Sequence, residues 1–215
     1  MQLLIFPISL LASGLIIMAV PYYYSNKLVY IAVTLASSAS ISFSLQFLLE
    51  LSPLFRPYLH FISYFNIMVG HNCMNALGFL IPLSVSLYLA TKAEVDKVDI
   101  VLLITLLGIS STALTLYKLG LIPYIPELLV YRNYVGYSPD IFLVMAFSYS
   151  LFRKKNPCKL AYVEMFIAGA YGDMVAFVIG GSHIIAGGLG FLDGDFLLPL
   201  LFSLELRLLK RFKKR

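Results

Sequence analysis

Three aspartates lie in strongly apolar stretches of the chain. Asp173 stands in "AGAYGDMVAFVIGG", and Asp193 and Asp195 stand in "GGLGFLDGDFLLPLLF". A carboxylate near the centre of a bilayer costs about 2.5–3.5 kcal/mol on insertion scales, so each of these residues needs a reason. Two carboxyl groups held close together share a proton, which lets one act as a base on water while the other protonates a carbonyl. The residue types therefore favour the acid–base chemistry of aspartyl proteolysis.

The same acids also fit two other functions. Protonated carboxyl groups can hydrogen-bond between helices and hold a bundle together as a structural membrane subunit, or they can line a cavity that carries protons, ions or small solutes. A proteolytic pair loses turnover with Asn, whereas a structural pair tolerates Asn and loses stability with Ala or Leu. The sequence leaves these alternatives open. It also leaves open whether Asp193 or Asp195 pairs with Asp173, because the two are about 200° apart on a regular helix.

The composition predicts a multi-pass protein of the cell membrane. The chain has 215 residues, of which 60% are hydrophobic and 13% charged, and its mean hydropathy is +0.88. Its net charge of +5 comes from short basic flanks and from the tail 207–215, "RLLKRFKKR". Basic flanks of this kind face anionic lipid. We therefore expect membrane lipid as a partner and no nucleic acid, because no basic stretch is long enough to form a binding domain.

The elements that must position the aspartates are apolar segments about 20 residues long, the length needed to cross a bilayer as a helix. With a short fifth segment, they predict one all-α membrane domain over 1–215, a bundle of about seven helices near 3–21, 28–49, 66–90, 98–117, 138–152, 158–180 and 183–206. With seven spans, thirteen Lys and Arg residues fall on one side and three on the other. Because basic residues collect at cytoplasmic flanks, this places the N-terminus outside and the C-terminus in the cytoplasm.

Glycines predict close contact between the sixth and seventh helices. Helix six carries Gly169 and Gly172, and the start of helix seven carries Gly187, Gly188, Gly190 and Gly194. Small residues let helix backbones approach closely in membranes. Because the two helices are antiparallel neighbours, we expect Asp173 to meet one aspartate of helix seven. Glu164 and Glu205 lie nearer the cytoplasmic side, where they can snorkel or pair with a basic flank.

Two resemblances rest on these motifs. Residues 72–90, 161–177 and 187–198 resemble successive blocks of the prokaryotic membrane family called domain of unknown function 1614. The last block of that family, Gly-Gly-x-Gly-x-x-Asp-Gly, includes Gly190 and places Asp193 at its acidic position. This resemblance implies a fold and no activity.

The second resemblance is to the presenilin and signal peptide peptidase group of intramembrane aspartyl proteases, with motifs Tyr-Asp and Gly-x-Gly-Asp. "YGDMVAFV" at 171–178 is similar to the first motif, and "LDGDFLLP" at 192–199 is similar to the second. The match implies Asp173 and Asp195 as the catalytic pair and a transmembrane peptide as substrate. The supporting residues it implies are Tyr171, Gly172, Gly194 and Pro199. The chain departs from the motifs at Gly172 and Leu192, and no Pro-Ala-Leu element follows.

Other polar residues favour structural roles. We expect the group His71, Asn72, Cys73 and Asn75 to hydrogen-bond between helices, and His183 to lie in a solvated turn. The connections 51–65 and 120–137 carry Pro and aromatic residues typical of the membrane interface. The two cysteines have neither metal nor disulfide spacing, and no phosphate loop, nucleophile elbow or HExxH motif occurs. We therefore expect no metal and no cofactor.

Overall fold

The computed structural model of the protein describes residues 8–9, 11–16, 27–51, 53–69, 72–105, 108, 119, 150–180 and 185–212. The predicted spans 3–21, 98–117 and 138–152 lie largely outside these residues. The connection 120–137, His71 and His183 lie outside them altogether.

The first long helix, α1, runs over Lys27–Leu51 and carries a small, polar face. Thr34, Ser37, Ser38 and Ser44 on this helix are buried. The hydroxyls of Thr34 and Ser38 donate to the carbonyls of Tyr30 and Thr34, one turn earlier. Hydroxyls satisfied in this way can be buried without a desolvation penalty, so α1 can pack closely against its neighbours.

A compact β-hairpin follows α1 where the sequence predicts part of the third span. A 3-10 turn at Pro53–Phe55 and helix α2 at Arg56–Ser63 lead into strand β1 at Asn66–Val69. Strand β2, Asn72–Asn75, pairs with β1 in antiparallel register, with Asn66 opposite Asn75. A π-helical turn at Ala76–Leu80 then leads into helix α3, Ile81–Ala90.

The side chain of Asn75 organises the change from strand to helix. Its Oδ1 accepts hydrogen bonds from the backbone nitrogens of Leu77 and Gly78, each 3.0 Å long. Its Nδ2 donates to the carbonyl of Ile62 at 2.9 Å and to Oδ1 of Asn66 at 2.7 Å. Asn75 is fully buried and therefore has the buried hydrogen-bonding role expected for its group, although it links a strand, a turn and α2 rather than two helices.

The C-terminal part of the chain forms an antiparallel helix pair. Helix α4 runs over Pro157–Gly180, with proline at its first position, where the missing N–H is harmless. Strand β3, Ile185–Ala186, joins the sheet parallel to β2 and gives the order β1-β2-β3. A 3-10 turn at Gly190–Leu192 precedes helix α5, Gly194–Phe212.

One hydrophobic core joins α1, α4 and α5. It contains residues from all three helices and from the segment before α4: Ile31, Leu151, Leu160, Ala161, Met165, Ala168, Tyr171, Phe202 and Leu206. The helices α1 and α4 lie close to the predicted segments 28–49 and 158–180. Residues 207–212, predicted as part of a basic tail, continue α5.

The predicted bundle of seven membrane-spanning helices is wrong. In the described part of the chain, one helix has the length and apolarity to cross a membrane, over the window Val29–Gln46, and a three-stranded sheet is present. The predicted span 66–90 is broken because Asn75 takes over backbone hydrogen bonds that a continuous helix would need. The predicted span 183–206 is broken by Gly187 and Gly190 at positive φ. The predicted orientation, with the N-terminus outside and the C-terminus in the cytoplasm, was deduced from seven spans and therefore loses its basis.

Candidate functional site

The loop before α5 is fixed by direct backbone packing against the π-helical turn. Gly187 and Gly190 adopt φ values of 68° and 60°, which L side chains rarely tolerate. A Cβ on Gly78 would overlap the carbonyl oxygen of Gly187 and lie 2.8 Å from that of Gly190. The hydroxyl of Tyr58 donates to the carbonyl of Leu189 at 3.0 Å. These contacts anchor the segment that carries the two aspartates.

Asp193 is the N-cap of α5. Its Oδ1 accepts from the backbone nitrogen of Asp195 at 3.1 Å, and its Oδ2 accepts from that of Leu189 at 3.1 Å. Its carbonyl accepts the first helical hydrogen bond, from the nitrogen of Leu197 at 2.7 Å. Aspartate is among the residues most favoured at this position because it satisfies donors that the helix leaves open. These hydrogen bonds give Asp193 a structural role at the start of α5, and this role explains why an aspartate stands at this position.

Asp195, in the first turn of α5, faces α4. A Cβ on Gly169 would overlap Oδ1 of Asp195 and lie 3.4 Å from its Cγ and 3.6 Å from its Cα. The carboxyl group therefore lies against the bare backbone of α4, and Asp195 is only 4% exposed. The N-terminus of a helix favours a negative charge, so this position also stabilises the carboxylate form.

Asp173 lies one helical turn beyond Gly169 on α4. Residues four apart on a helix share a face, and the rise over four residues is about 6 Å. Asp173 is partly exposed, whereas Asp195 is buried. Asp173 therefore lies on the same face of α4 as Gly169, which Asp195 contacts, and Asp193 lies at the end of the loop before α5.

The supporting residues lie around this contact in different ways. Tyr171 is buried in the hydrophobic core, and Gly172 precedes Asp173 in α4. A Cβ on Gly194 would lie 2.8 Å from Nε2 of Gln46, so α1 also approaches the start of α5. Pro199 lies inside α5 and has no N–H, so the helix does not supply the usual hydrogen bond to the carbonyl of Asp195.

Glu164 and Glu205, which were expected to snorkel or to pair with a basic flank, are two further buried acids. Glu164 is 4% exposed and Glu205 is 3% exposed, so neither snorkels to solvent. Glu205 accepts a 2.6 Å hydrogen bond from the hydroxyl of Ser37 on α1. The sequence signal for this contact was the serine-rich stretch of α1 together with a glutamate in the apolar part of α5, since buried acids need polar partners.

The sequence reasoning also missed an ionic cluster before α4. Lys154 donates to Oδ2 of Asp96 at 2.8 Å and forms an ion pair with Asp99, and Arg153 lies 3.2 Å from Asp96. The hydrogen bond from Lys154 is the main cause that lowers the pKa of Asp96 to about 2. Burial lowers the pKa of Lys154, but its contacts with Asp96 and Asp99 outweigh burial and raise it.

The spacing of Asp96 and Asp99 in the sequence is a signal for this cluster. Oδ1 of Asp96 accepts from the nitrogens of Val98 and Asp99, and the Asp99 carboxylate accepts from the nitrogen of Asp96 at 2.9 Å. This reciprocal pattern over "DKVD" is that of a capping box, which marks the start of the helical residues 97–105.

Within the described ranges, no group of three or more His, Cys, Asp or Glu side chains can hold a metal ion. The chain matches no protein-family model, no curated protein and no solved structure. The resemblances to the domain of unknown function 1614 and to the presenilin group therefore stay predictions.

Proposed function

We propose that the protein is an intramembrane aspartyl peptidase whose catalytic pair is Asp173 and Asp195. The observation that supports this most directly is the position of Asp195, whose carboxyl group lies against Gly169, one turn from Asp173 on the same helix. Two carboxyl groups that face each other across a helix contact can share one proton through a water molecule between them.

Peptide hydrolysis needs one carboxyl group ionised and the other protonated. The ionised carboxyl takes a proton from water as the water oxygen attacks the carbonyl carbon of the peptide bond, and the protonated carboxyl gives its proton to the carbonyl oxygen. The C–N bond then breaks as the nitrogen receives the proton that the base had taken. Asp193 is a positioning residue in this scheme, because its cap fixes the first turn of α5 that presents Asp195.

A membrane location is supported by the outer surface of the described helices. Soluble monomers rarely expose large contiguous apolar patches. Here α3 and the helical residues 97–105 expose Ile81, Val85, Leu87, Tyr88, Val98, Ile100, Val101 and Ile104. Together with the window Val29–Gln46, these residues favour a lipid environment and hence a membrane-embedded peptide as substrate.

Transfer of protons or ions is a second candidate function, favoured by a specific feature of the same two helices. Glu164 on α4 and Glu205 on α5 are buried in addition to Asp195. Peptide hydrolysis needs only one pair of acids. Four acids on two packed helices are the arrangement typical of a path for protons.

A cleavage assay separates these functions. Wild-type protein in lipid vesicles is incubated with quenched fluorescent peptides of transmembrane length, alongside Asp173→Asn, Asp195→Asn and the matched control Asp193→Asn, which keeps a capping side chain. We expect cleavage by wild type and the control, and a loss of about 10²–10⁴-fold in the other two variants. Equal cleavage by Asp173→Asn, or none by folded wild type, would count against the peptidase, and proton flux in the same vesicles would then favour the second function.

A further inference from the structure

Four side chains next to the start of α4 form a buried chain of polar contacts that the aspartate pair does not use. Ser150 donates to Oδ1 of Asp99 at 2.8 Å. Lys154 binds the other oxygen of Asp99 and also Oδ2 of Asp96. The side chains of Asp99 and Lys154 are 5% and 7% exposed, whereas that of Asp96 is 44% exposed. The chain of contacts therefore runs from the interior to the surface.

Glu164 lies at the inner end of this chain. Glu164 is a neighbour of Ser150, Asp99 and Lys154, whose hydroxyl group and charges act on its carboxyl group. Glu164 is 4% exposed, and its Oε2 accepts no hydrogen bond from the residues that the structure describes. Burying an ionised carboxylate without hydrogen-bond partners costs free energy, whereas burying the neutral, protonated acid costs much less.

The charges around Glu164 also favour its protonated state. In the buried part of the cluster, two carboxyl groups, those of Asp99 and Glu164, face one buried cation, Lys154. If all three groups were ionised, this buried part would hold one unbalanced negative charge. One proton on Glu164 removes that charge and lets its O–H donate to Ser150.

We propose that Glu164 is a proton-binding site that exchanges its proton with solvent through Ser150, Asp99, Lys154 and Asp96. When the proton leaves, the O–H bond of Glu164 breaks as one forms on Ser150, whose own proton moves to Asp99. In one concerted step Lys154 takes the proton of Asp99 as it gives one of its own to Asp96, so Lys154 stays a cation, and Asp96 releases its proton to water. Each step breaks one O–H or N–H bond and forms another, and the proton released leaves one negative charge on Glu164.

This site is independent of the peptidase proposal, because it shares neither Asp173 nor Asp195. Besides the five groups already named, Lys27 lies beside the cluster, where its Nζ donates to the carbonyls of Phe152 and Lys154. The site therefore faces α1, the helical residues 97–105 and the segment before α4. It gives the protein a place to take up a proton at one end of α4.

Infrared spectroscopy of the full-length protein in lipid vesicles tests this proposal. A protonated carboxylic acid has a carbonyl band distinct from that of a carboxylate, and H/D exchange shifts it. We compare wild type, Glu164→Gln, Ser150→Ala and the matched control Glu94→Gln, in which an exposed glutamate is changed. At neutral pH we expect a carboxylic-acid component, beside any from the aspartate pair, that Glu164→Gln removes and Glu94→Gln leaves.

Exchange kinetics provide a second test that leaves Glu164 unchanged. Ser150→Ala should keep the band but slow its H/D exchange by about tenfold or more, the factor that a barrier higher by about 1.4 kcal/mol gives. Loss of the band in Glu164→Gln together with slowed exchange in Ser150→Ala supports the site. A wild-type spectrum without the band, a band unchanged in folded Glu164→Gln, or exchange unaffected in Ser150→Ala would overturn it.

Discussion

Replacing Gly169 with alanine tests the contact between α4 and the first turn of α5. The added Cβ would overlap Oδ1 of Asp195, so either the carboxyl group must rotate or the helices must separate. Overpacking of this kind costs about 1–3 kcal/mol. Alanine in place of glycine inside a helix returns about 1 kcal/mol. We therefore expect Gly169→Ala to lower the free energy of unfolding by about 0–2 kcal/mol.

A double-mutant cycle isolates the contribution of Asp195. In the background Asp195→Ala the clashing oxygen is gone, and the nearest atoms to the new Cβ include the Cα of residue 195 at 3.6 Å, an ordinary contact. Gly169→Ala should then stabilise the protein by up to about 1 kcal/mol. The coupling free energy between the two positions is therefore expected at about 1–3 kcal/mol, within the range seen for residues in contact.

The assay is chemical unfolding in detergent micelles, followed by circular dichroism. Gly108→Ala is the matched control, because in the described part of the chain a Cβ at Gly108 meets no heavy atom within 4 Å. We expect this control to be neutral or stabilising in both backgrounds. If Gly169→Ala and Asp195→Ala add within about 0.5 kcal/mol, the carboxyl group does not lie on α4 as described.

Three further predictions concern the elements around the site. Asp193→Ala should lower the free energy of unfolding by about 0.5–2 kcal/mol through loss of the N-cap, and Asp193→Asn by much less, which thermal unfolding measures. Asn75→Ala should cost about 1–3 kcal/mol for each buried group left unsatisfied, and Asn75→Asp should cost no less, because it keeps the acceptor but turns a buried carboxylate oxygen towards the acceptors of Ile62 and Asn66; a loss below about 1 kcal/mol for Asn75→Ala in the same assay would argue against the cap. Because the pKa of Asp96 is lowered from 3.8 to about 2, its stabilising contribution is present above about pH 4 and is lost as the pH falls towards about 2. Unfolding midpoints measured across this range should fall less steeply in Asp96→Asn than in wild type, and parallel curves would contradict the ion pair.

The long helices could be predicted from the sequence because their apolar runs are continuous and have no proline in their interior. The segments 28–49 and 158–180 coincide with α1 and α4 within two residues. The segment 66–90 has the same apolar length, but length does not distinguish a helix from a hairpin. Whether this segment forms a helix or a hairpin depends on Asn75, whose four hydrogen bonds involve partners up to thirteen residues away. A pattern of hydropathy contains no information about such partners.

The candidate site could be predicted in part. The glycines of helix six and the aspartates of the next segment indicated a close contact, and the structure places Asp195 against Gly169. The different positions of Asp193, which caps α5, and Asp195, which lies against Gly169, could not be predicted, because they depend on where α5 starts after the positive φ of Gly190. The cluster of Asp99, Lys154 and Glu164 was missed because its members are distant in sequence and each looked like a solvated flank.

The central claim is that the carboxyl groups of Asp173 and Asp195 meet between α4 and α5. Nuclear magnetic resonance titration of aspartate carboxyl carbons, with Asp195 assigned by mutation, tests it most directly. Groups that share a proton titrate as a pair, so we expect Asp195 to titrate in two coupled steps in wild type and in a single step in Asp173→Asn. A titration curve for Asp195 that is the same in both proteins would contradict the claim.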